Sequence, residues 1–173
     1  YLKSFDLEGN YYVVTPGAAW RQKRWLANQY SKVIDRINKK YSLSAVLIGG
    51  KNDRICDEIN YKTRTKVTNI RGQTNLRESL AIVSQANFVL GNDTGFLHAG
   101  ESLGISAITI LGPTSRETGA GIFLKNSSVI ENNSLWCRPC SQNGSIPCYR
   151  KEQYCMTEIK PNQIMYAINK LNL

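Results

Sequence analysis

The chain has 173 residues, of which 42% are hydrophobic and 20% are charged, values typical of a globular protein with one full-sized core. No apolar run approaches the roughly 20 residues that a transmembrane helix needs, so the sequence predicts no membrane-spanning segment. The net charge of +9, from 22 Lys and Arg against 13 Asp and Glu, favours an anionic partner such as nucleotide phosphates, nucleic acid or a membrane surface.

Strand-like and helix-like segments alternate along the chain. The predicted strands are short apolar runs closed by turn residues, at 11–15, 44–48, 67–70, 87–90, 106–111 and 127–130. The predicted helices carry apolar residues at helical spacing or a capping signal, at 26–40, 53–61, 75–85, 95–103 and 161–171. The signal at 75–85 approximates a capping box, with Asn75 as the N-cap residue and Glu78 three places on.

This alternation predicts an α/β fold, because strand–helix–strand units form right-handed crossovers between parallel strands. The strands are continuous apolar runs, as expected of a sheet that is covered on both faces. We therefore predict a mostly parallel sheet of about six strands with helices on both faces. The expected domain is a single one over residues 1–173, with a Cys-rich loop at about 134–157 before the C-terminal helix at about 161–171.

Four predicted strands are followed by segments of small, polar or charged residues, at 16–25, 49–53, 91–98 and 111–115. Ligands of open parallel sheets bind outside the carboxyl ends of the strands. Small residues let the backbone approach a ligand, and free N–H groups near a helix start attract phosphate. The sequence therefore predicts a site for a phosphorylated, nucleotide-linked ligand. These segments contain neither the P-loop pattern nor the Gly-x-Gly-x-x-Gly pattern. The first absence excludes a P-loop, and the second argues against a dinucleotide oxidoreductase.

Individual residues of these segments have both a functional and a structural interpretation. Lys23 adds a charge for phosphate, but its loop would also suit a surface loop with Trp25 in the core. Asp53 is placed for a ribose or for a helix cap. Asp93 and His98 share a predicted strand-to-helix junction, although a lone His on a helix is often structural.

In order and spacing, these segments resemble glycosyltransferase family 9, the heptosyltransferases of bacterial lipopolysaccharide assembly. The match runs from about Tyr11 to Leu173, and its most specific part is the Asp-Thr-Gly-x-x-His run from Asp93 to His98. The resemblance implies a Rossmann-like fold, the C-terminal, donor-binding half of a two-domain GT-B enzyme.

The resemblance also implies a role for each matching residue. Lys23 would contact the donor diphosphate, Asp53 the ribose and Asp93 the sugar hydroxyls, while His98 would support the turn. Lys23 and Asp93 are the catalytic candidates. The other donor-binding candidates are Gly17, Ala18, Ala19, Gly50, Thr94, Gly95, Gly112, Pro113 and Thr114.

What the resemblance implies is a donor-binding domain of a glycosyltransferase that moves a sugar from an ADP-heptose-like donor to lipopolysaccharide or another glycan or protein acceptor. The general base is implied to lie in an N-terminal acceptor domain, so we expect this chain alone to be inactive. Transfer is expected to need no cofactor, because Lys23 and helix N-termini can neutralise the leaving diphosphate. The expected location is the cytoplasm, with peripheral association with the anionic inner membrane surface.

Four of the five cysteines lie close together, as Cys137-x2-Cys140-x7-Cys148-x6-Cys155. Thiolates at such spacing can hold a structural Zn or Fe ion. Two disulfides, which are rare in cytoplasmic proteins, and free thiols are the alternatives. Cys56 is expected to be a core residue of the second helix.

Two other functions remain open. A non-catalytic, nucleic-acid-binding module with a four-Cys metal knuckle would suit the basic charge. However, the basic residues form no stripe with interleaved aromatic residues, so nucleic acid is not the expected partner. Half of a nucleotide-sugar epimerase would share the architecture, but it would need further acidic and His residues.

Overall fold

The computed structural model describes residues 5, 7, 10–171 and 173, so the ends of the predicted 1–173 domain lie partly outside it. Within the described part, one sheet of six strands has the order β3-β2-β1-β4-β5-β6. The strands are β1 (Tyr11–Thr15), β2 (Ser44–Leu47), β3 (Val67–Asn69), β4 (Val89–Asn92), β5 (Ala107–Ile110) and β6 (Ser128–Ile130). All neighbouring pairs are parallel, which confirms the predicted sheet.

The helices follow the strands as the sequence predicts, with changes at their ends. They are α1 (Ala27–Tyr41), α2 (Ile55–Lys62), α3 (Leu76–Val83), α4 (Gly95–Ser102), α5 (Tyr154–Thr157) and α6 (Pro161–Ile168). None of the described helices is long and apolar enough to cross a membrane. The short α5 lies inside the Cys-rich segment, where the sequence predicts only a loop.

The sequence predicts side-chain caps at the starts of α2 and α3, and only the prediction for α3 is confirmed. At α3 the predicted capping box forms: the Asn75 side chain accepts from the Glu78 N–H at 2.9 Å, and Glu78 accepts from the Asn75 N–H at 2.8 Å. At α2 the cap prediction is wrong, because Arg54 is the N-cap residue and the Asp53 carboxylate accepts from the Gly50 N–H instead.

Helices cover both faces of the sheet. In β1, Tyr12 and Val14 pack into the cluster formed with α1, α2 and α6, whereas Tyr11 and Val13 pack on the opposite side with α3. Burial on both faces explains why the strands are continuous apolar runs rather than alternating ones. The α/β fold with a doubly covered sheet is therefore confirmed.

The strand order reverses between β1 and β4. From β1 the chain runs outward through β2 to β3, and it then returns to form β4 on the other side of β1. Loops that leave the carboxyl ends of two such strands diverge and leave a crevice, which is where open α/β sheets bind their ligands. Here β1 ends at Thr15 and β4 ends at Asn92, so the segments 16–25 and 93–98 flank the crevice.

Candidate functional site

A cavity of about 560 Å³ opens at this reversal of strand order. The residues that line it come from the loops after β1, β2 and β4. Most of the predicted donor-site residues are among them, namely Gly17, Ala18, Ala19, Lys23, Asp53, Asp93, Thr94, Gly95 and His98. Three predicted segments that are far apart in the chain therefore form one site.

Asp93 lies at the centre of a charged network in this cavity. Its Oδ2 atom is 2.5 Å from Lys23 Nζ, and its Oδ1 atom is 2.8 Å from His98 Nε2. The Lys23 and Asp93 side chains are only 15% and 11% exposed, so solvent screens their attraction less than at an open surface. His98 thus contacts the turn that carries Asp93, while its supporting role there stays a prediction.

The network determines the ionisation of Asp93. Burial opposes ionisation of this carboxyl group, but the hydrogen bonds from His98 and Lys23 outweigh it, and the pKa of Asp93 lies below its usual value. Asp93 is therefore a carboxylate at neutral pH. It can accept hydrogen bonds from hydroxyl groups of a ligand while the lysine balances its charge.

Asp53 enters the cavity because the residue opposite it has no side chain. A Cβ atom placed on Gly17 would lie 2.5 Å from Asp53 Oδ1, closer than any non-bonded contact. Gly50 donates its N–H to Asp53 Oδ2 at 2.8 Å, which orients the carboxylate. The small size of Gly17 therefore makes room for Asp53, a reason that the sequence did not indicate. Gly50 acts beside the cavity rather than in its wall.

The start of α4 presents polar groups to the same cavity. Thr94 is the N-cap residue, yet its side chain makes no capping bond, and its buried Oγ1 atom has no partner among the described residues. A Cβ atom on Gly95 would meet nothing within 4 Å, so the helix start is open on this side. The first N–H groups of a helix and its dipole favour an anion.

Asn92 holds the two loops together, a role that the sequence did not indicate. Its buried side chain accepts from the Trp25 N–H at 3.0 Å and from the Tyr30 hydroxyl at 3.1 Å, and it donates to the Pro16 carbonyl at 2.7 Å. Trp25 itself is buried and donates its indole N–H to Ile159, as the structural interpretation of this loop expected. An Asn at the end of an otherwise apolar strand is the one signal that could have pointed to this role.

Arg24 shapes the other side of the cavity. Its guanidinium donates twice to the Ala18 carbonyl, from Nε at 3.0 Å and from Nη2 at 2.7 Å. These two bonds fix the Ala18 carbonyl, and the small side chains of Ala18 and Ala19 leave the cavity open. The cation of Lys23, next to it in sequence, points to Asp93 instead.

The Gly112-Pro113-Thr114 loop does not line the cavity. The Arg138 guanidinium donates to the carbonyls of Gly112 and Thr114, and the Pro113 carbonyl accepts from Cys140 N–H at 3.1 Å. The loop therefore contacts the Cys-rich segment, which the sequence could not indicate because the two are joined by tertiary packing. A direct donor contact by these three residues stays a prediction.

All five cysteines are free, so the disulfide alternative is not present in this structure. Cys137 Sγ lies 3.8 Å from Arg150 Nη1, whereas Cys155 is buried on α5. Across the described ranges, no three His, Cys, Asp or Glu side chains are grouped to hold a metal ion. The set Cys137, Cys140, Cys148 and Cys155 is thus not assembled as metal ligands in this structure.

The pKa values of the thiols agree with free cysteines that are not assembled as metal ligands. Burial raises the pKa of Cys140 and of Cys155 above the usual value, and it raises the pKa of Cys56 to about 12. These thiols are therefore protonated at neutral pH, and a metal would have to displace their protons. Cys56 packs in the core on α2, as predicted.

Residues 2–149 match the family model of glycosyltransferase family 9 (heptosyltransferase). A curated relative is the lipooligosaccharide heptosyltransferase 2 of Campylobacter jejuni, which is 25% identical over 163 residues. That alignment covers 92% of this chain and 50% of the relative, so the chain spans about half the length of this relative.

Solved structures show the same fold. Escherichia coli ADP-heptose lipopolysaccharide heptosyltransferase II superposes with a TM-score of 0.82 at 20% identity, over 98% of this chain and 49% of that one. The iron-containing heptosyltransferase TibC of enterotoxigenic E. coli, solved in complex with ADP-D-β-D-heptose, gives 0.71 at 15% identity, over 94% and 45%. Since the family model covers most of the sequence, the chain belongs to glycosyltransferase family 9, the heptosyltransferases.

Proposed function

We propose that this chain is a single donor-binding domain of a heptosyltransferase-like enzyme, and that it holds an ADP-heptose-like sugar in the cavity between β1 and β4. The observation that carries the proposal is the Lys23–Asp93–His98 network, which lies beside the open start of α4. Among the solved relatives with this fold, one is an ADP-heptose heptosyltransferase and TibC was solved with ADP-D-β-D-heptose, which supports an adenine nucleotide donor.

The diphosphate is proposed to lie between Lys23 and the start of α4. Lys23 supplies a full positive charge, the helix start supplies N–H groups, and the unpartnered Thr94 hydroxyl can donate one further bond. Asp93 holds the ammonium in place at 2.5 Å. When the sugar leaves, the negative charge that develops on the diphosphate is met by groups that are already positioned.

The two carboxylates are proposed to bind hydroxyl groups at the two ends of the donor. Asp53 lies in the loop after β2, where the Gly50 N–H orients its carboxylate and a ribose can reach it. Asp93, fixed by His98, is the sugar-binding group. The chemistry of both contacts is the same, since a carboxylate accepts hydrogen bonds from hydroxyl groups.

Transfer is proposed to need the acceptor-binding domain of the full-length enzyme. The chain spans about half of its curated relative, and the family resemblance places the general base in the acceptor-binding domain. We therefore expect donor binding without sugar transfer by this chain. Turnover of ADP-heptose with a glycan acceptor by the isolated chain would contradict this expectation.

A structural Zn or Fe ion at the four clustered cysteines remains a proposal, and the iron-containing relative TibC supports it. Binding would require the four thiols to come together as ligands, with Cys137 leaving Arg150. Its test is elemental analysis of the purified protein. Less than stoichiometric Zn or Fe would end the metal proposal.

Peripheral association with an anionic cytoplasmic membrane surface is proposed from the net charge of +9. Sedimentation with phosphatidylglycerol vesicles tests it. Binding should weaken as salt rises, and equal binding to neutral vesicles would contradict an electrostatic origin.

Calorimetric titration tests the donor proposal against the nucleic-acid alternative. ADP-heptose, or a commercial ADP-sugar, should bind with saturation at micromolar concentration. Single-stranded RNA should bind weakly, without the steep salt dependence of a nucleic-acid-binding protein. Tight, salt-steep RNA binding with no response to ADP-sugar would overturn the proposal in favour of the alternative.

A further inference from the structure

The stem of Lys23 lies against a turn of the Cys-rich segment (134–157). Gly144 in this turn has a φ of +87°, and a Cβ atom built on it would lie 2.5 Å from Lys23 Cγ and 2.6 Å from Lys23 Cδ. Carbon atoms that are not bonded prefer a separation of about 3.5–4.0 Å. The lysine stem therefore occupies the space that a side chain at position 144 would need.

The turn that carries Gly144 is fixed to the loop after β5 rather than to Lys23. The buried Ser141 hydroxyl accepts from the Gly144 N–H at 2.9 Å. The N–H groups of Cys140 and Ser141 donate to the Pro113 carbonyl, shortly after β5. The wall beside the lysine stem is thus held in place by bonds that do not involve the lysine.

A second contact joins the same segment to the backbone beside Lys23. The Gln153 side-chain amide donates to the Gln22 carbonyl, and the same nitrogen lies 3.7 Å from Cys155 Sγ. Residues Arg21–Lys23 form a short 3-10 turn whose N-cap residue makes no side-chain capping bond. Gln153 therefore supports a turn that lacks a cap of its own.

A lysine side chain has about 2 kcal/mol of rotamer entropy, so a free lysine occupies many positions. Here the stem is confined by Gly144 and its ammonium by Asp93, and the side chain is 15% exposed. Confinement before binding lowers the entropy that a ligand must remove.

We propose that Gly144 is a positioning residue for Lys23, and that the Cys-rich segment serves to hold this lysine at the donor diphosphate. The proposal rests on the function proposed above, in which Lys23 binds the diphosphate. A methyl group at position 144 meets the middle of a flexible side chain rather than backbone. The stem has to move away from such a methyl group, and the ammonium then leaves its place beside Asp93.

The substitution Gly144→Ala tests the proposal, and the chain offers a matched control. Gly119 has a φ of +88°, nearly the same as Gly144, but a Cβ atom there would meet nothing within 4 Å. Gly119→Ala therefore introduces the same backbone strain without touching a lysine. In calorimetric titrations of the full chain, Gly144→Ala should bind ADP about ten-fold more weakly or worse, whereas Gly119→Ala should match the wild type.

Combination with Lys23→Ala separates positioning from a general structural effect. If Gly144 acts through Lys23, then Gly144→Ala should change the ADP affinity of the Lys23→Ala protein less than about two-fold. An equal loss in both backgrounds, or unchanged ADP binding by Gly144→Ala, would overturn the inference alone. Failure of the wild type to bind ADP would overturn the proposed function and the inference with it.

If Gly144→Ala does not fold, Gln153→Ala tests the second contact of the segment. Loss of the amide should weaken ADP binding in the wild-type background and leave it unchanged in the Lys23→Ala background. ADP binding as tight as that of the wild type would overturn the inference.

Discussion

Lys23 and Asp93 form an ion pair of 2.5 Å across the crevice between β1 and β4. The lysine follows β1 and the aspartate follows β4, so the pair exists only when the two strands lie side by side in the sheet. The pair keeps a cation and a carboxylate ready at the place where an open parallel sheet binds its ligands. Substitution of Lys23 and substitution of Asp93 should therefore have different effects on ligand affinity.

Replacing Asp93 by alanine should weaken nucleotide-sugar binding more than free-nucleotide binding. Asp93 is proposed to bind the sugar hydroxyls, and a carboxylate also repels the diphosphate and competes for Lys23. Loss of the group that holds the Lys23 ammonium should also weaken ADP binding, but removal of the repulsion offsets part of that loss. Asp93→Ala should therefore lower the affinity for ADP-heptose about ten-fold or more, and the affinity for ADP by a smaller factor. Calorimetry with both ligands measures the difference, and equal losses for the two would show that the role of Asp93 is misassigned.

Replacing Asn92 by alanine should destabilise the fold. The substitution leaves the Trp25 N–H, the Tyr30 hydroxyl and the Pro16 carbonyl without their partner in the interior. The free energy of unfolding should fall by about 2–4 kcal/mol. Asn87→Ala, an exposed position just before β4, is the control and should change it by less than about 0.5 kcal/mol. Urea denaturation curves that coincide for the two variants would contradict the bridging role.

The ionisation of Asp93 should make stability depend on pH. The pKa of this group is lower in the folded chain than its ordinary value of 3.8, so the unfolded chain takes up its proton first as the pH falls. The stabilisation is complete above that value and is lost as the pH drops through the lower, folded pKa. Between about pH 5 and pH 3, the wild type should lose more free energy of unfolding than Asp93→Asn. A loss of the same size in both proteins would argue against the depressed pKa.

The thiols should all be free. Alkylation with iodoacetamide in denaturant and without reductant should label every cysteine, Cys56 included, because the structure holds no disulfide among them. In the native protein Cys56 should stay unlabelled at neutral pH, since burial raises its pKa to about 12. Mass spectrometry counts the labels. Labelling of Cys56 alone in denaturant would instead support two disulfides among the clustered cysteines.

Features that depend on local or periodic signals could be predicted from the sequence. The capping box of Asn75 and Glu78 needs only residues three apart, and both of its bonds form. The apolar strands identified the doubly covered sheet, and the rule that ligands bind at strand ends brought Lys23, Asp53 and Asp93 to one edge. These three side chains do line one cavity.

Features that depend on tertiary contacts could not be predicted. The Asp53 carboxylate occupies the space beside Gly17, a contact that no sequence pattern indicated, and a donor contact of Gly17 stays a prediction. The contact of Gly144 with Lys23 joins segments that share no sequence pattern. Spacing alone also suggested a metal site at the clustered cysteines, whereas packing directs Cys155 into the core.

Hydrogen exchange of the protein with and without saturating ADP tests the central claim most directly, because it locates the bound nucleotide. The amides of residues 17–24 and 93–98, which flank the cavity between β1 and β4, should exchange more slowly when ADP is bound. A second cavity adjoins the first at Arg21 and Arg24, and its lining residues outside segment 17–24, among them Ala27, Ile55 and Met156, serve as an internal control and should be unaffected. Protection confined to that second cavity, or no protection at all, would contradict donor binding at the Lys23–Asp93 pair.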